Sequence, residues 1–112
     1  MLWQEVCRLK DLIIFSDGLT IDFSKRTITC NDKLIPLAKK EFDIVELLVR
    51  NSGEIYDREQ IYEKVWGRPS AGRSSVVSEH IRRIRSKLEA FTKTNHIETI
   101  WRIGYKWVKE EN

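Results

Sequence analysis

Cysteine is scarce in this sequence, and its placement argues against two classes of small domain. Cys7 and Cys30 are the only cysteines among 112 residues, and neither belongs to a CxxC motif. A structural zinc site needs closely spaced ligands, and a disulfide-stabilised secreted domain needs several cysteine pairs. We therefore expect two reduced thiols, as is usual in the cytoplasm, with a Cys7–Cys30 bond as the less favoured alternative.

Long hydrophobic runs are absent as well. No apolar stretch approaches the roughly 18 residues that a membrane-spanning helix needs, and no basic-then-apolar secretory signal opens the chain. Internal repeats and low-complexity tracts are also missing. Because 41% of the residues are hydrophobic and 33% are charged, we expect a cytoplasmic protein with a single folded core.

The residue combinations of enzymes and metalloproteins do not occur either. No nucleophile, base and orienting group form a recognisable set, so we expect neither catalysis nor a cofactor. His80 and His96 have no neighbouring cluster of carboxylates or cysteines, which argues against a metal site.

Positive charge is present, and it is concentrated in one segment. The net charge of the chain is only +3. Residues 68–87 hold six arginines and lysines against one acidic residue, Glu79, so the whole excess lies there. Solvated helices usually interleave Glu with Lys or Arg, whereas arginine alone offers paired donors that fit phosphate and guanine.

The spacing of apolar residues predicts an α+β fold, in which a four-stranded antiparallel sheet precedes three helices and a hairpin. Residues 12–37 alternate apolar and polar side chains between turn sequences, as short half-buried strands do. Residues 39–50 (KKEFDIVELLVR) carry a helical apolar stripe, and Gly53 is the expected cap at its end. A second helix over 58–66 is predicted to begin with Asp57 and Gln60 as a capping box.

A third helix and a hairpin complete the predicted order. The helix should begin after a cap at Ser74 or Ser75 and run to about Ala90 or Phe91. Segments 96–101 and 105–108 are predicted to pair through a turn at 102–104. Ile97 and Ile100 cannot share one face of a regular strand, so we expect a bulge or only one deeply buried side chain.

The third helix has an apolar face and a cationic face. Its apolar positions recur every three or four residues and form one stripe: Val77, Ile81, Ile84, Leu88 and Phe91. Glu79, Arg82 and Arg83 lie on the other side. We expect this side to point outward with Glu79–Arg83 as its one self-pairing and its guanidinium groups otherwise free of internal partners, which suits the major groove of DNA.

Three segments together resemble the C-terminal effector domain of OmpR/PhoB-type two-component response regulators. They are EFDIVELLVRNSGEIYDREQIYEKVWG, HIRRIRSKLE and TIWRIGYKW, in the order and spacing of that family. The resemblance covers about 12–108 and implies a winged helix-turn-helix whose third helix reads the major groove and whose hairpin, the wing, enters the minor groove. We therefore expect a DNA-binding domain over 12–109, a linker over 1–11 and a tail over 110–112.

The resemblance also implies roles for individual residues. The base-reading positions correspond to Ser78, Glu79 and Arg83. The phosphate-contacting positions correspond to Ser75, His80, Arg82, Arg85 and Thr99, with Arg73 as an additional candidate. The wing would bring Trp101 and Arg102 to the minor groove. A surface for RNA polymerase would include Arg58, Glu59, Trp66, Gly67 and Arg68.

The partners that the resemblance implies are promoter DNA and the transcription machinery. Members of the family resemble one another in binding direct repeats head to tail, so we expect a free monomer that pairs on DNA. Full-length members carry a phosphorylatable receiver domain, which implies a sensor kinase as a further partner.

The sequence departs from the family pattern at three positions. Ser75 stands where arginine is frequent, Ala38 where Thr or Ser caps the first helix, and Arg102 where the wing turn has glycine. We expect the start of the first helix to be weaker by about 1 kcal/mol unless another group caps it. The turn at Arg102 should be strained.

A second interpretation is a winged helix that binds another protein and not DNA. A docking face of that kind usually has apolar or aromatic residues at its centre, so the arginine-rich face favours DNA. Trp66 is equally consistent with packing and with a role in partner binding. Tyr56 and Tyr62 are expected in the core, and Tyr105 and Trp107 in the packing of the wing and the core rather than as stacking platforms for single strands.

Overall fold

The structure is a computed structural model, and it describes residues 11–109. Its strands and helices follow one another as β1 (Leu12–Ile14), β2 (Leu19–Asp22), β3 (Thr27–Cys30), β4 (Lys33–Ile35), α1 (Lys39–Arg50), α2 (Arg58–Trp66), α3 (Ser75–Glu89), β5 (Ile97–Ile100) and β6 (Gly104–Trp107). The predicted order of sheet, three helices and hairpin is confirmed. Cys7, the predicted linker up to residue 10 and the predicted tail over 110–112 lie outside the described residues.

The N-terminal sheet is an antiparallel meander with the order β1-β2-β3-β4. Its strands bury alternate side chains, among them Ile13, Ile21 and Ile28, as the sequence pattern predicts. Asp11, which falls in the predicted linker, accepts a hydrogen bond from the backbone of Phe23 through its carbonyl oxygen at 2.8 Å. The hydrogen bonding of the sheet therefore extends one residue beyond β1, to Asp11. Cys30 is buried, and it is a free thiol among the described residues.

Helix α1 begins without a side-chain cap at Ala38. The carboxylate of Glu41 instead accepts the Ala38 backbone N–H at 2.9 Å and the Lys87 ammonium at 2.6 Å. Burial alone would raise the pKa of Glu41, but the hydrogen bonds from Lys87 and Ala38 outweigh it and lower the pKa. Glu41 thus supplies half of a capping box and ties α1 to α3.

The other helix ends show one confirmed prediction and two corrections. Asp57 and Gln60 form the predicted capping box of α2, at 2.8 and 2.9 Å. The cap of α1 is Asn51 rather than Gly53, and the Asn51 side-chain amide donates to the Leu47 carbonyl at 2.8 Å. Gly53 nevertheless has the expected left-handed backbone, with φ of 89°. Ser74 precedes α3, but its side chain makes no capping hydrogen bond. Its backbone is already helical, whereas a capping hydroxyl acts from an extended residue.

The C-terminal hairpin turns one residue earlier than predicted. Ile100 pairs with Gly104, so the turn consists of residues 101–103. Ile97 is buried and Ile100 is only half-buried, which confirms that one of the two is deeply buried. Tyr56 and Tyr105 exchange two backbone hydrogen bonds of 2.9 Å, and a Cβ on Gly104 would overlap the Tyr56 carbonyl oxygen. This close approach explains why glycine occupies position 104.

The core lies between the sheet, the helices and the hairpin. Tyr62 and Trp107 are buried in it as expected, whereas Tyr56 is only half-buried because it joins the hairpin edge. Within residues 11–109, no helix has the length and apolar character needed to cross a membrane, and no group of three or more His, Cys, Asp or Glu side chains is arranged to hold a metal ion.

A partly buried polar cluster joins the hairpin to the N-terminal sheet. The Asp17 carboxylate accepts hydrogen bonds from His96 Nε2 at 2.7 Å and from the Thr92 hydroxyl at 2.6 Å. The His96 ring stacks on Trp107, with 5.0 Å between the ring centroids. Burial alone would raise the pKa of Asp17, but the bonds from Thr92 and His96 outweigh it and lower the pKa.

We expect Asp17→Asn to lower the free energy of unfolding by about 1 kcal/mol at pH 7, because the amide is a weaker acceptor for His96 and Thr92. The folded-state pKa of Asp17 is depressed. Its stabilisation is therefore complete above about pH 4 and is lost as the pH falls through the depressed pKa. Urea unfolding at pH 7 and pH 2.5 should show a gap between variant and wild type that narrows in acid.

Glu54→Gln, which changes an exposed carboxylate in the loop after α1, is the matched control and should be nearly neutral at both pH values. A gap for Asp17→Asn that is equally large at pH 7 and pH 2.5 would contradict the role assigned to the ionised carboxylate.

Candidate nucleic-acid interface

Helix α3 exposes its cationic side and buries four of the five residues of its predicted apolar stripe, whereas Phe91, the fifth, lies beyond the helix end at Glu89 and is half-buried. Val77, Ile81, Ile84 and Leu88 are all buried, and the helix packs on both α1 and α2. The side chains of Arg82 and Arg83 are 67% and 51% exposed. The predicted outward orientation of these two arginines is therefore confirmed.

The expectation that these arginines have no internal partner beyond one Glu79–Arg83 pair is wrong. Arg82 donates a hydrogen bond to the Glu79 carboxylate, and Nη2 of Arg83 lies 3.8 Å from the same oxygen. The hydrogen bond and charge of Arg82 lower the pKa of Glu79. Sequence reasoning found only the Arg83 pair, although positions three and four residues apart both share a helix face.

Arg85 turns toward the hairpin and not toward solvent. Its guanidinium donates to the Ile97 carbonyl oxygen, from Nε at 3.2 Å and from Nη2 at 2.9 Å, and to the Thr99 hydroxyl at 2.6 Å. It also lies 5.8 Å from the centroid of the Tyr105 ring. Arg85 and Thr99, both predicted to contact phosphate, thus hold one another and fix the hairpin on α3.

Two further predicted contact residues, Ser78 and His80, are also engaged within the protein. The Ser78 hydroxyl accepts a hydrogen bond from the Tyr105 hydroxyl at 3.1 Å. His80 bonds through Nδ1 to the Val76 carbonyl at 2.8 Å, and its ring meets the Trp66 ring edge-on, with 5.3 Å between centroids. Because a carbonyl only accepts, Nδ1 carries the proton. Only Nε2 of His80 is left, and it can donate to phosphate only when the ring is doubly protonated.

The start of α3 keeps its polar residues exposed. Ser75 is its first residue, and Arg73 ends the preceding loop; both are exposed. Within residues 11–109 Arg73 forms no ion pair, since the ion pairs of this part of the chain involve other residues. The N–H groups of Val76 and Val77 already bond to the carbonyl oxygens of Arg73 and Ser74, so anions are attracted to this end by the helix dipole and by the charge of Arg73.

The turn of the hairpin presents a cation between two exposed apolar side chains. Trp101 is 74% exposed and Ile103 is 59% exposed. Arg102 adopts the left-handed conformation, with φ of 66°, and its guanidinium lies 4.4 Å from the centroid of the Trp101 ring. The predicted strain at this position is confirmed, and such a conformation costs a non-glycine residue about 1 kcal/mol.

The carboxylate of Glu59, near the start of α2, holds the loop between α2 and α3. The Ser70 hydroxyl donates to the Glu59 carboxylate, and hydrogen bonds from Ser70 and Ser74 lower the pKa of Glu59. Arg58, Gly67 and Arg68 are exposed on the surface of this region. Glu59 is thus occupied by its own loop.

Trp66 is half-buried beside this loop and packs within the domain. Its ring stacks on Tyr62, with 4.7 Å between centroids and an angle of 2°, and Lys40 Nζ lies 5.5 Å from its centroid. These contacts favour the packing interpretation of Trp66.

A cleft of about 510 Å³ separates the start of α2 from the hairpin. Arg58, Ser78, Thr99 and Arg102 contribute to its walls. The outer face of α3, this cleft and the hairpin turn therefore form one continuous surface with positive charge at several points.

Comparison with known proteins shows which family this chain belongs to. Residues 32–107 match the sequence profile of a family described as "Transcriptional regulatory protein, C terminal". The chain belongs to this family. Sensory transduction protein RegX3 of Mycobacterium leprae is 35% identical over 99 residues, which cover 88% of this chain and 50% of that protein. The chain thus spans about half the length of this curated relative.

Two solved structures share the fold. The response regulator DrrB of Thermotoga maritima, an OmpR/PhoB homologue, superimposes with a TM-score of 0.77 at 37% identity, over 89% of this chain and 45% of that one. The RstA DNA-binding domain of Klebsiella pneumoniae, solved in complex with the RstA box, superimposes with a TM-score of 0.76 at 26% identity, over 88% of this chain and 98% of that one. The fold is the OmpR/PhoB-type winged helix.

We expect Arg85→Lys to lower the free energy of unfolding by about 1 kcal/mol, because lysine lacks the planar fork that bonds Ile97 and Thr99 together. Arg83→Lys, on the exposed side of the same helix, is the control and should change stability by less than about 0.5 kcal/mol. Urea unfolding measures both. Equal losses of unfolding free energy for the two variants would contradict the anchoring role of Arg85.

Proposed function

We propose that this chain binds double-stranded DNA in a sequence-specific manner and regulates transcription as the output domain of a response regulator. The outer face of α3 enters the major groove, and the hairpin turn enters the adjacent minor groove. The observation that carries the proposal is the pair of exposed guanidinium groups, Arg82 and Arg83, on a helix whose opposite face is fixed in the core. Guanidinium groups bind phosphate and guanine through paired donors.

The contacts of the free protein divide the candidate residues into two groups. Arg73, Ser75, Arg82 and Arg83 have exposed side chains, and we assign them direct contacts, with Arg83 reading bases and the others binding phosphate. Ser78, His80, Arg85 and Thr99 are held by internal hydrogen bonds. Their contribution is to position the helix and the hairpin, and they contact DNA only with the donors or acceptors that remain.

The hairpin turn supports the minor-groove part of the proposal. Arg102 is exposed at its tip beside Trp101. A cation inserted into the minor groove benefits from the negative potential there, and neighbouring apolar side chains shield it from water.

The wider context of the domain is also part of the proposal. Its relative RegX3 is about twice as long as the matched region, and we propose that a receiver domain and a sensor kinase act upstream of this domain. We further propose that it is a monomer in solution and pairs head to tail on direct repeats. The surface formed by Arg58, Trp66, Gly67 and Arg68, with Glu59 supporting its loop, would contact RNA polymerase.

A winged helix that binds only protein is the competing function. Its docking face would have an apolar or aromatic centre. The outer face of α3 instead presents Arg82, Arg83 and Glu79, and nothing in the geometry favours the competing function. Salt dependence separates the two, since groove binding predicts that log affinity falls by about 0.9 per neutralised phosphate for each unit of log salt.

We expect Arg83→Ala and Arg82→Ala to weaken DNA binding in different ways. Arg83→Ala should cost about 1–3 kcal/mol on a duplex selected from a random pool and relax the preference for one base pair. Arg82→Ala should weaken the selected duplex without relaxing the preference for any base pair, and should make the salt dependence of that binding shallower by about 0.9. Fluorescence anisotropy at several salt concentrations measures both, and the reverse pattern would exchange the two roles.

Arg102→Gly should make the free protein more stable while weakening its binding to DNA. Glycine relieves a left-handed strain of about 1 kcal/mol, but the variant loses the cation at the tip of the hairpin. Lys93→Gly is the control, because it also replaces an exposed cation with glycine but lies in the turn before β5. If Arg102→Gly leaves affinity unchanged, Arg102 does not contact DNA.

A further inference from the structure

The recognition surface of α3 contains its own counter-ion. Glu79 is the only acidic residue within 68–87. Its Oε1 accepts a hydrogen bond from Arg82 and lies 3.8 Å from Nη2 of Arg83. One carboxylate oxygen therefore holds the two most exposed guanidinium groups of the helix at the surface that faces DNA in the function proposed above.

This arrangement opposes binding to DNA through phosphate alone. A phosphate that approaches Arg82 competes with Glu79 for a guanidinium donor, and one that approaches Arg83 meets the negative charge of the same carboxylate 3.8 Å from that guanidinium. The carboxylate then lies beside the phosphate, and the two like charges repel one another. Any DNA sequence meets this cost, since every sequence presents the same phosphates.

A suitable base pair removes the repulsion between Glu79 and the DNA phosphates. In the major groove a carboxylate accepts hydrogen bonds from an exposed amino group, that of cytosine being the one it pairs with most directly. When such a donor lies opposite Glu79, the carboxylate exchanges its arginine partners for the base. Both guanidinium groups are then free for phosphate and guanine.

We propose that Glu79 is a specificity-determining residue, which keeps Arg82 and Arg83 from phosphate on non-cognate DNA and releases them where a base amino group takes their place. The proposal rests on the DNA-binding function proposed above and adds a mechanism to it. Glu79 acts mainly by weakening the wrong complexes, and specificity is the difference between the right and the wrong affinities.

The alternative is that Glu79 only stabilises α3. The three side chains are largely exposed, with Glu79 at 45%, and exposed ion pairs contribute little to stability. The helix is already held by its four buried residues, Val77, Ile81, Ile84 and Leu88. A residue placed there for stability alone would also weaken the binding of anions, so its position is better explained by discrimination.

The test compares Glu79→Gln with Glu89→Gln on two duplexes. Glutamine keeps the size of the side chain and removes the charge. Glu89 is an exposed acid at the other end of α3, roughly 15 Å away along the helix axis, and among residues 11–109 it takes part in none of the ion pairs. The duplexes are one selected from a random pool by the wild-type protein and a scrambled version of it.

We expect Glu79→Gln to bind the scrambled duplex roughly three- to tenfold more tightly than wild type near 0.1 M salt, with a salt dependence steeper by about 0.9. Its affinity for the selected duplex should stay the same or fall, so the ratio of the two affinities decreases. Selection with Glu79→Gln should also lose the preference for one cytosine-containing base pair. In the Arg82→Ala background the tighter binding to scrambled DNA should shrink, because one of the two released guanidinium groups is gone.

Three results would overturn the inference: equal effects of Glu79→Gln and Glu89→Gln on both duplexes, weaker binding of Glu79→Gln to both, or a gain on scrambled DNA that is undiminished without Arg82. A thermal unfolding curve that coincides with that of wild type shows that Glu79→Gln is folded. If the wild-type protein binds neither duplex, the DNA-binding function itself fails, whereas wild-type binding with an unchanged affinity ratio for Glu79→Gln removes the role of Glu79 alone.

Discussion

Burial of one face of α3 is the interaction on which the rest of the structure depends. Val77, Ile81, Ile84 and Leu88 are between 0% and 4% exposed, and each such side chain contributes about 1.5–3 kcal/mol when it leaves water. Ion pairs on the outer surface contribute far less. The stripe therefore fixes the rotation of the helix about its axis, and Glu79, Arg82 and Arg83 face outward as a consequence.

The hairpin becomes part of the same surface because several contacts attach it to the helices. An isolated two-stranded hairpin is only marginally stable in water. Here Arg85 bonds to Ile97 and Thr99, Tyr105 bonds to Ser78 and to the backbone of Tyr56, and Gly104 permits that close approach. Several polar residues near the proposed groove thus serve the geometry of the surface, and a smaller set, led by Arg82 and Arg83, remains for DNA.

Most of the fold could be predicted from local sequence patterns, whereas the pairing of individual side chains could not. Periodicity located the N-terminal strands, α1 and the buried stripe of α3, because burial repeats with the geometry of each element, and capping and turn residues located α2 and the hairpin. The observed turn, 101–103, lies one residue earlier than predicted. Gly104 is needed for close approach to the Tyr56 backbone and not for the turn, and Tyr56 lies far away in sequence. The partners of Arg85 and the Asp17–His96 pair join distant segments, and no local pattern encodes them. The Arg82–Glu79 bond is local and was recoverable from helix spacing.

The most direct test of the account is the amide spectrum of the uniformly ¹⁵N-labelled protein during titration with a duplex selected from a random pool. We expect the largest shift changes on the outer face of α3, around Arg82 and Arg83, and on the hairpin turn around Arg102, while the strands β1 to β4 change little. Changes confined to the N-terminal sheet, or absent at saturating duplex, would contradict it.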